Sequence, residues 1–399
     1  MPIPVQIEDV SAIPLWHVDG VERIRRQVGQ VNTLQVADQT RPKDSEVVLR
    51  ISSGFLFDVT GLEQFAQHRN AALIDPELQL VAATIGSTSE PVELGQPLSA
   101  DSTLQPLLPQ DLAVYNDKLR RRTTPMLAKV NDAAAPTLES QLYGASYKGI
   151  TDLVTKWWWP RPARIGVRFC AARALTPNQV TLFGGALMLA ALWLFSIGQF
   201  ALGLAAGWIM TYLDTVDGKL ARVTVQSSAI GNVLDHGMDI VHPPFWYLAW
   251  GSGLALAGQT AAIAHWSTTD LLLLIMGGYI GGRLIEAAFH ALGSCGIFSW
   301  RPFDAYFRLI TGRRNPCMIL LSTGVLIGRP DLGLYWVVWW TLLSTGILLL
   351  RLLYAAVVRV RSGPLHSWLQ DAATAADQHP RAYRTFSSTR AAYGAAADA

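Results

Sequence analysis

The sequence predicts an all-α, polytopic membrane domain, with six transmembrane helices and an interfacial helix before them, preceded by a small soluble α/β domain. Half of the 399 residues are hydrophobic and only 16% are charged, whereas soluble domains carry about 25% charge. Residues 1–150 hold 31 charged side chains, and residues 174–350 hold 16. The contrast predicts a soluble domain over 1–140, a membrane domain over 141–360 and an Ala-rich, partly disordered tail over 361–399.

The first domain has the polarity and patterning of a small α/β fold. Strands are predicted over 46–52 and 78–85, with a short helix over 62–69. Ser, Thr, Pro and Gly predict a loop over 86–112, and DKLRRR (117–122) predicts an exposed helix or connector. The N-terminus lacks the basic and continuous apolar segments of a signal peptide, so we expect this domain on the cytoplasmic side.

A basic, aromatic segment leads into the membrane domain. The three indoles of 157–159 suit the headgroup level, because indole combines an apolar body with a polar N–H. Pro160 and Pro162 break the helix and predict two interfacial pieces. The basic side chains here lead directly into a membrane span, so we expect them to contact membrane lipid and not nucleic acid.

Six apolar segments of about 20 residues follow, the length that crosses a hydrocarbon core. They are predicted at 178–198, 199–221, 232–257, 268–292, 315–329 and 332–358. Arg and Lys concentrate before the first span, in alternate loops and after the last span, while the other loops carry almost none apart from Arg329. The positive-inside rule then places both termini in the cytoplasm. We expect a multi-pass protein of the bacterial inner membrane.

Two pairs of aspartates interrupt this apolar domain. Asp214 and Asp217 are three residues apart, and Asp235 and Asp239 are four apart, so each pair lies on one face of a helix. The predicted topology puts the first pair at the cytoplasmic end of the second span and the other in the first turns of the third. Because these spans are antiparallel neighbours, we expect the pairs to converge.

Four carboxylates at membrane depth need compensating cations, since desolvation would otherwise protonate them. Lys219 and Arg222 offer two positive charges nearby. One or two Mg²⁺ or Mn²⁺ ions would compensate better, because hard cations prefer oxygen ligands, and two such ions can bind a pyrophosphate. Helix-end carboxylates that face water or pair with loop cations are the alternative. That alternative is reasonable for a single aspartate, but it does not readily explain why four of them occur together at membrane depth.

The residues around the first pair also suit a phosphate ligand. Gly218 would let a phosphate approach the backbone closely, and Arg222 can bind phosphate oxygens with two donors. Helix packing is the alternative explanation for Gly218 and for Ala221, and Gly231 marks the turn into the third span.

The complete spacing is D-x2-D-G-x2-A-R-x8-G-x3-D-x3-D. Its fixed positions are Asp214, Asp217, Gly218, Ala221, Arg222, Gly231, Asp235 and Asp239. This pattern resembles the CDP-alcohol phosphotransferase family of integral membrane enzymes. LTPNQVT (175–181) is similar to the Pro-Asn segment that often opens the first span of that family.

The resemblance implies a reaction and a role for each residue. Asp214, Asp217 and Asp235 would hold two metal ions, Mg²⁺ or Mn²⁺. Asp239 would complete that site and act as general base, taking the proton of an acceptor hydroxyl that attacks the β-phosphorus of a CDP-alcohol and releases CMP. The CDP part would be bound by Gly218, Ala221 and Arg222, with Ser228 and Gly231 as further candidates. The donor, CDP-diacylglycerol or a CDP-polyol, stays open, and members of the family often form homodimers.

The acceptor is equally open from the sequence. Four arginines on the cytoplasmic side between the fourth and fifth spans would suit an acceptor phosphate: Arg301, Arg308, Arg313 and Arg314. The positive-inside rule explains the same residues almost as well.

The two-domain layout resembles the inositol-phosphate proteins in which a cytidylyltransferase supplies the membrane enzyme with its donor. Such a domain needs a Gly-rich, basic phosphate loop of the LxAGxGxR type, and HVDGVERIRRQ (17–27) has a single glycine. We therefore predict a degenerate, nucleotidyltransferase-like domain that makes no CDP-alcohol and serves in docking or regulation.

Two other functions use related features. Intramembrane prenyltransferases bind a diphosphate through paired aspartates and Mg²⁺, but they usually have more spans and do not require Gly218, Ala221 and Arg222. A cation transporter would need acids and broken helices near the middle of the membrane, whereas the aspartates here lie near one face.

Overall fold

A computed structural model describes residues 2–8, 13–37, 47–87, 92–227, 229–258 and 266–387. The N-terminal part is a small α/β region. Its strands are β1 Ile3–Glu8, β2 Leu34–Val36, β3 Val47–Ser52, β4 Phe55–Phe57, β5 Ala71–Ile74, β6 Val81–Ser87, β7 Gln105–Leu107, β8 Val114–Asn116, β9 Arg121–Thr123 and β10 Leu127–Lys129. Six of them form one sheet of order β2-β1-β3-β6-β5-β7. Strand β6 is antiparallel to both of its neighbours in this sheet, and the other pairs are parallel.

The predicted elements of this region are largely present. Strands β3 and β6 confirm the two predicted strands, and the predicted short helix is α2 (Val59–Phe65), which follows α1 (Gly20–Val28). Helix α2 begins earlier than predicted because the Asp58 carboxylate accepts the Gly61 N–H at 2.6 Å and caps the helix there.

The expectation of a helix or connector around DKLRRR is wrong, because this segment turns back as a β-hairpin. Strands β8 and β9 are antiparallel, and the Asn116 side chain accepts the Leu119 N–H at 3.0 Å inside the turn. Arg120 completes the turn with a φ of 49°. A side-chain-to-backbone bond of this kind stabilises a turn in place of a helix.

The C-terminal part is mostly helical. Its helices are α3 Ala135–Ala145, α4 Pro160–Ala172, α5 Pro177–Ser196, α6 Phe200–Val223, α7 Ala229–Leu256, α8 Thr268–Leu292, α9 Ile297–Trp300, α10 Pro302–Ile310, α11 Arg314–Leu326, α12 Pro330–Ser362, α13 Ala372–Gln378 and α14 Pro380–Ser387. A π-helical turn over Val154–Trp158 precedes α4, so this segment is divided at Pro160 as predicted.

A helix lies at each of the six positions at which a span is predicted: α5, α6, α7, α8, α11 and α12. Among the described residues, α5, α8 and α12 are long and apolar enough to cross a membrane. Helix α11 has only 13 residues, and α6 carries the charges of the first aspartate pair. The described part of the chain thus contains three candidate membrane spans, and the arrangement with six spans stays a prediction.

LTPNQVT fixes the start of α5. The Thr176 hydroxyl accepts the Gln179 N–H at 3.3 Å, and the Gln179 side chain accepts the Thr176 N–H at 2.9 Å. This reciprocal pair satisfies two N–H groups that the first turn would leave without partners, and Pro177 suits the first helical position. The motif therefore determines where α5 begins.

The α/β region packs directly on the end of α6. Arg23 on α1 donates to the Val223 carbonyl at 2.8 Å, and Arg26 donates to the Thr224 carbonyl at 2.9 Å. The last carbonyls of a helix have no partners within it, so α1 caps α6. Both arginines lie in the segment 17–27, the nearest one to the phosphate loop of a nucleotidyltransferase, and here they contact protein.

Part of the Ala-rich tail is packed as well. Phe386 on α14 is 1% exposed, and its ring edge contacts Tyr306 at a centroid distance of 5.0 Å. Helix α14 lies against α10 and β9. Residues 388–399 lie outside the described residues.

Candidate active site

Two motif aspartates from different helices meet at one guanidinium. Arg314, the first residue of α11, donates from Nη2 to Asp214 Oδ2 and from Nη1 to Asp239 Oδ1, each at 2.6 Å. Asp214 lies on α6 and Asp239 on α7. The packing of these helices therefore brings one member of each aspartate pair to the same place.

Asp217 turns away from this pair toward α5. Its carboxylate accepts the Thr181 hydroxyl at 2.5 Å, and its side chain is buried. Thr181 is the last residue of LTPNQVT, so the segment that begins α5 also holds a motif aspartate. We did not single out Thr181 from the sequence, although its place within that segment was the available signal.

Two predicted residues lack a described side chain. Asp235 lies on α7 one turn before Asp239, but its side chain is outside the described residues, as is Ser228. Their predicted roles stay predictions.

A cavity of about 280 Å³ opens beside the aspartates and is strongly basic. Among the described residues, eight basic side chains line it: Arg120, Lys148, Lys219, Arg222, Arg283, Arg308, Arg313 and Arg314. Three acids line it as well: Asp152, Asp214 and Asp239. A cavity with this balance suits an anionic ligand.

Gly218 and Arg222 form one wall of the cavity, with the guanidinium over the glycine. A methyl group on Gly218 would lie 3.6 Å from Arg222 Nη1 and would project into the open space. Arg222 and Lys219 both donate to the Ser146 carbonyl, at 3.1 and 3.2 Å. The N–H donors at this wall are thereby held in position, whereas Ala221 and Gly231 are not part of the cavity lining.

The four predicted acceptor arginines are divided by the structure. Arg308, Arg313 and Arg314 line the cavity. Arg301 does not, because its guanidinium stacks on Trp300 at 4.8 Å from the ring centroid. Three of the four residues are thus in a position to contact a ligand.

The sequence reasoning did not single out three charged residues that line the cavity: Arg120, Lys148 and Asp152. Arg120 comes from the β8–β9 hairpin of the α/β region. Burial by itself would raise the pKa of Asp152, but Arg308 and hydrogen bonds from Thr155 and Asn315 lower that pKa below its usual value. Asp152 is therefore an anion that compensates part of the positive charge.

The donor set fits a divalent cation. Two carboxylates from α6 and α7 point at one positively charged group, and oxygen ligands are those that Mg²⁺ and Mn²⁺ prefer. Within the described residues no group of three or more His, Cys, Asp or Glu side chains is close enough to hold a metal. The Asp235 side chain is outside that set.

Comparison with known families agrees with the motif. The family model of CDP-alcohol phosphatidyltransferase matches residues 174–285, which include α5 to α7 and every fixed position of the spacing. No curated protein matches the chain. This family of membrane-embedded transferases moves a phosphoalcohol from a CDP-alcohol and generally uses divalent metal ions. Residues 174–285 are therefore a CDP-alcohol phosphatidyltransferase domain, which confirms the family predicted from the aspartate spacing.

Proposed function

We propose that this protein transfers a phosphoalcohol group from a CDP-alcohol to an acceptor hydroxyl and releases CMP, in the synthesis of a phospholipid or a polar headgroup. The convergence of Asp214 and Asp239 on one cationic group, beside a basic cavity, carries the proposal. Both aspartates lie within the segment that matches the family, and the wall of Gly218 and Arg222 is adjacent.

Asp214, Asp217, Asp235 and Asp239 would hold the divalent metal, two ions of Mg²⁺ or Mn²⁺. Bound there, the metal would offset the charge that develops on the pyrophosphate. Gly218, Ala221 and Arg222 would bind the CDP part, with Ser228 and Gly231 as further candidates.

Asp239 would act as the general base. Its side chain is 43% exposed and lines the cavity, so a hydroxyl can reach it. The proton of the acceptor hydroxyl moves to Asp239, and the oxygen bonds to the β-phosphorus. The bond from that phosphorus to the bridging oxygen breaks, and the electron pair leaves with CMP. A base in this position accelerates attack by about 10²–10⁴-fold.

We further propose six spans with both termini and the cavity on the cytoplasmic side of a bacterial inner membrane. The domains would be 1–140, 141–360 and 361–399. The contacts of Arg23 and Arg26 with the end of α6 support a docking role for the first domain. We also expect this domain to make no CDP-alcohol, and conversion of CTP and a sugar phosphate into a CDP product by the isolated fragment 1–140 would contradict that prediction.

The proposed reaction is tested with purified full-length protein in detergent, Mg²⁺ or Mn²⁺, and a panel of CDP-alcohols and acceptors. We expect CMP and a phosphodiester, identified by mass, in equal amounts. If the protein released no CMP from any donor but transferred a prenyl group from a prenyl diphosphate, the prenyltransferase would be favoured. If it formed neither CMP nor a prenylated product, the cation transporter would be favoured.

Gly218→Ala is expected to raise the donor KM about tenfold, equivalent to about 1.4 kcal/mol. The added methyl would occupy cavity space beside Arg222 without a clash, and alanine favours the helix over glycine, so the unfolding temperature should not fall. Gly346→Ala on α12 is the matched control, because its methyl would meet nothing within 4 Å. An unchanged donor KM in Gly218→Ala would remove this wall from the CDP site.

A further inference from the structure

One wall of the cavity comes from a hairpin and a loop that lie outside the family-matched segment. Its residues are Arg120 from the β8–β9 hairpin and, from the loop after α3, Lys148, Thr151 and Asp152. We call these four residues the hairpin wall. Because only 174–285 match the family, the contacts that hold this wall in place belong to the rest of the chain.

Hydrogen bonds join the hairpin to the loop. Gly149 donates its N–H to the Leu119 carbonyl at 2.8 Å, and Arg121 donates from Nη2 to the Ala145 carbonyl at 2.8 Å. On the other side of the loop, Lys156 Nζ donates to the Gly149 carbonyl at 3.0 Å. The hairpin and the loop are thereby linked into one unit.

The C-terminal residues 365–387, which we call the tail segment, pack against this unit. A methyl group on Gly149 would meet the carbonyl oxygens of both Arg120 and Phe386, so the chain at Gly149 passes between the hairpin and the tail with no room for a side chain. The Lys156 ammonium lies 5.2 Å from the Phe386 ring centroid, within the range of a cation–π interaction. Phe386 therefore contacts the loop through its backbone and through its ring.

Phe386 also contacts α10, a helix that contributes another residue to the cavity. Its ring edge meets Tyr306 at a centroid distance of 5.0 Å, and Arg308, two residues later on α10, lines the cavity. Phe386 is 1% exposed. Because protein interiors are close-packed, a buried ring between two elements determines how far apart they lie.

Polar contacts fix the rest of the tail segment at the same junction. Arg122 on the hairpin donates to the Gln370 carbonyl at 3.0 Å, across 248 positions of the sequence. The Ser294 hydroxyl, in the connection between α8 and α9, donates to the Leu365 carbonyl at 3.0 Å. Between these two bonds Leu369 is fully buried. The tail segment thus joins the hairpin to the connection after α8.

The hairpin wall and the motif aspartates depend on different elements. Among the described residues, Phe386 belongs to a core formed with α8, α9, α10 and α12, and this core includes Ile150 from the loop of the hairpin wall. Asp214 and Arg222 lie on α6, and Asp239 lies on α7. We therefore expect the tail segment to act on the hairpin wall and not on the wall of Gly218 and Arg222.

We infer that the tail segment is a positioning element for the cavity, and that Phe386 is the positioning residue that holds the hairpin wall where turnover needs it. Donor binding by α6 and α7 does not require the tail, whereas turnover requires the hairpin wall as well. The effect on turnover rests on the proposed function. The effect on the order of the wall does not.

The first test is backbone hydrogen exchange in full-length Phe386→Ala in detergent, measured by mass spectrometry. Amides exchange through local opening, and that opening becomes easier where buried contacts are lost. We expect exchange over 114–123 and 147–153 to become about tenfold faster. Exchange over 211–223 on α6 should stay unchanged.

The second test is turnover by the same variant. Misplacing groups that position a substrate by about 1 Å can cost about 100-fold in rate, and we expect kcat/KM for CMP release to fall about tenfold. The rise in unfolding temperature that the CDP-alcohol produces should remain. Phe386→Leu, which keeps an apolar side chain, should recover part of the rate, and it replaces Phe386→Ala if that variant does not fold.

Phe195→Ala is the matched control for the loss of a buried ring. Phe195 is fully buried against Trp246 and Trp250, near the end of α5 that is remote from Thr181. Its removal should lower the unfolding temperature as well. It should change neither the exchange of the hairpin wall nor kcat/KM.

The outcomes separate the inference from the proposed function. Exchange over 114–123 and 147–153 that is no faster in Phe386→Ala than in Phe195→Ala would overturn the inference. Faster exchange with unchanged kcat/KM would overturn the positioning role, because the wall would then be ordered by the tail without serving turnover. If no CDP-alcohol yields CMP, the proposed function fails, and the exchange measurement still decides whether the tail holds the wall.

Discussion

Asp239→Asn should reduce the rate of CMP release by about 10³-fold while donor binding stays largely intact. Asparagine keeps the shape of the side chain but cannot take the proton of the acceptor hydroxyl, and a general base contributes about 10²–10⁴-fold. The rate is measured by CMP release. Donor binding is measured separately, from the rise in unfolding temperature that the CDP-alcohol produces.

Asp377→Asn is the control for loss of a carboxylate, because Asp377 is exposed on α13 and remote in sequence from the motif. It should leave both readouts unchanged. Near-normal turnover by Asp239→Asn would remove Asp239 as the base, whereas loss of donor binding as well would point to a role in holding the metal.

Arg314→Gln is expected to make the stability of the protein strongly dependent on divalent metal. The substitution removes the cation shared by Asp214 and Asp239, and removing one partner of a buried ion pair costs roughly 3–5 kcal/mol. Since Asp239 is 43% exposed, solvent screens part of this ion-pair energy. We therefore expect the free energy of unfolding to fall by about 2 kcal/mol. Mn²⁺ between the same carboxylates should restore most of the loss.

The measurement is the unfolding temperature in detergent, with a chelator and with Mn²⁺. Arg329→Gln is the matched control, because Arg329 pairs with Asp331 but is 53% exposed, and surface pairs contribute little. A Mn²⁺ response in Arg314→Gln no larger than in the unsubstituted protein would contradict metal binding by these two carboxylates.

The local features of this protein follow from its sequence. The spacing of Asp214 and Asp217 puts them one turn apart on the same helix, and helices occupy all six predicted positions. The family also follows from the spacing, since eight fixed residues lie within one segment. Each of these properties depends on neighbours along the chain, through helical periodicity, capping and apolar length.

The partners of the motif residues depend on packing. Arg314 reaches Asp214 across 100 positions of the sequence, and Asp217 bonds to Thr181 on the preceding helix. No periodicity relates residues on different helices, so the sequence predicts convergence of the aspartates but not the groups that contact them.

In the α/β region the difference between what the sequence predicts and what packing decides is clearest. Its charges were the first sign of a separate domain, and neither its charge nor its motifs indicated chemistry. The tertiary structure places Arg120 in the cavity and Arg23 at the end of α6. Composition and spacing thus predicted apolar helices and the family that residues 174–285 match. Only long-range packing, which depends on the shapes of surfaces far apart in the chain, decided which cations surround the site.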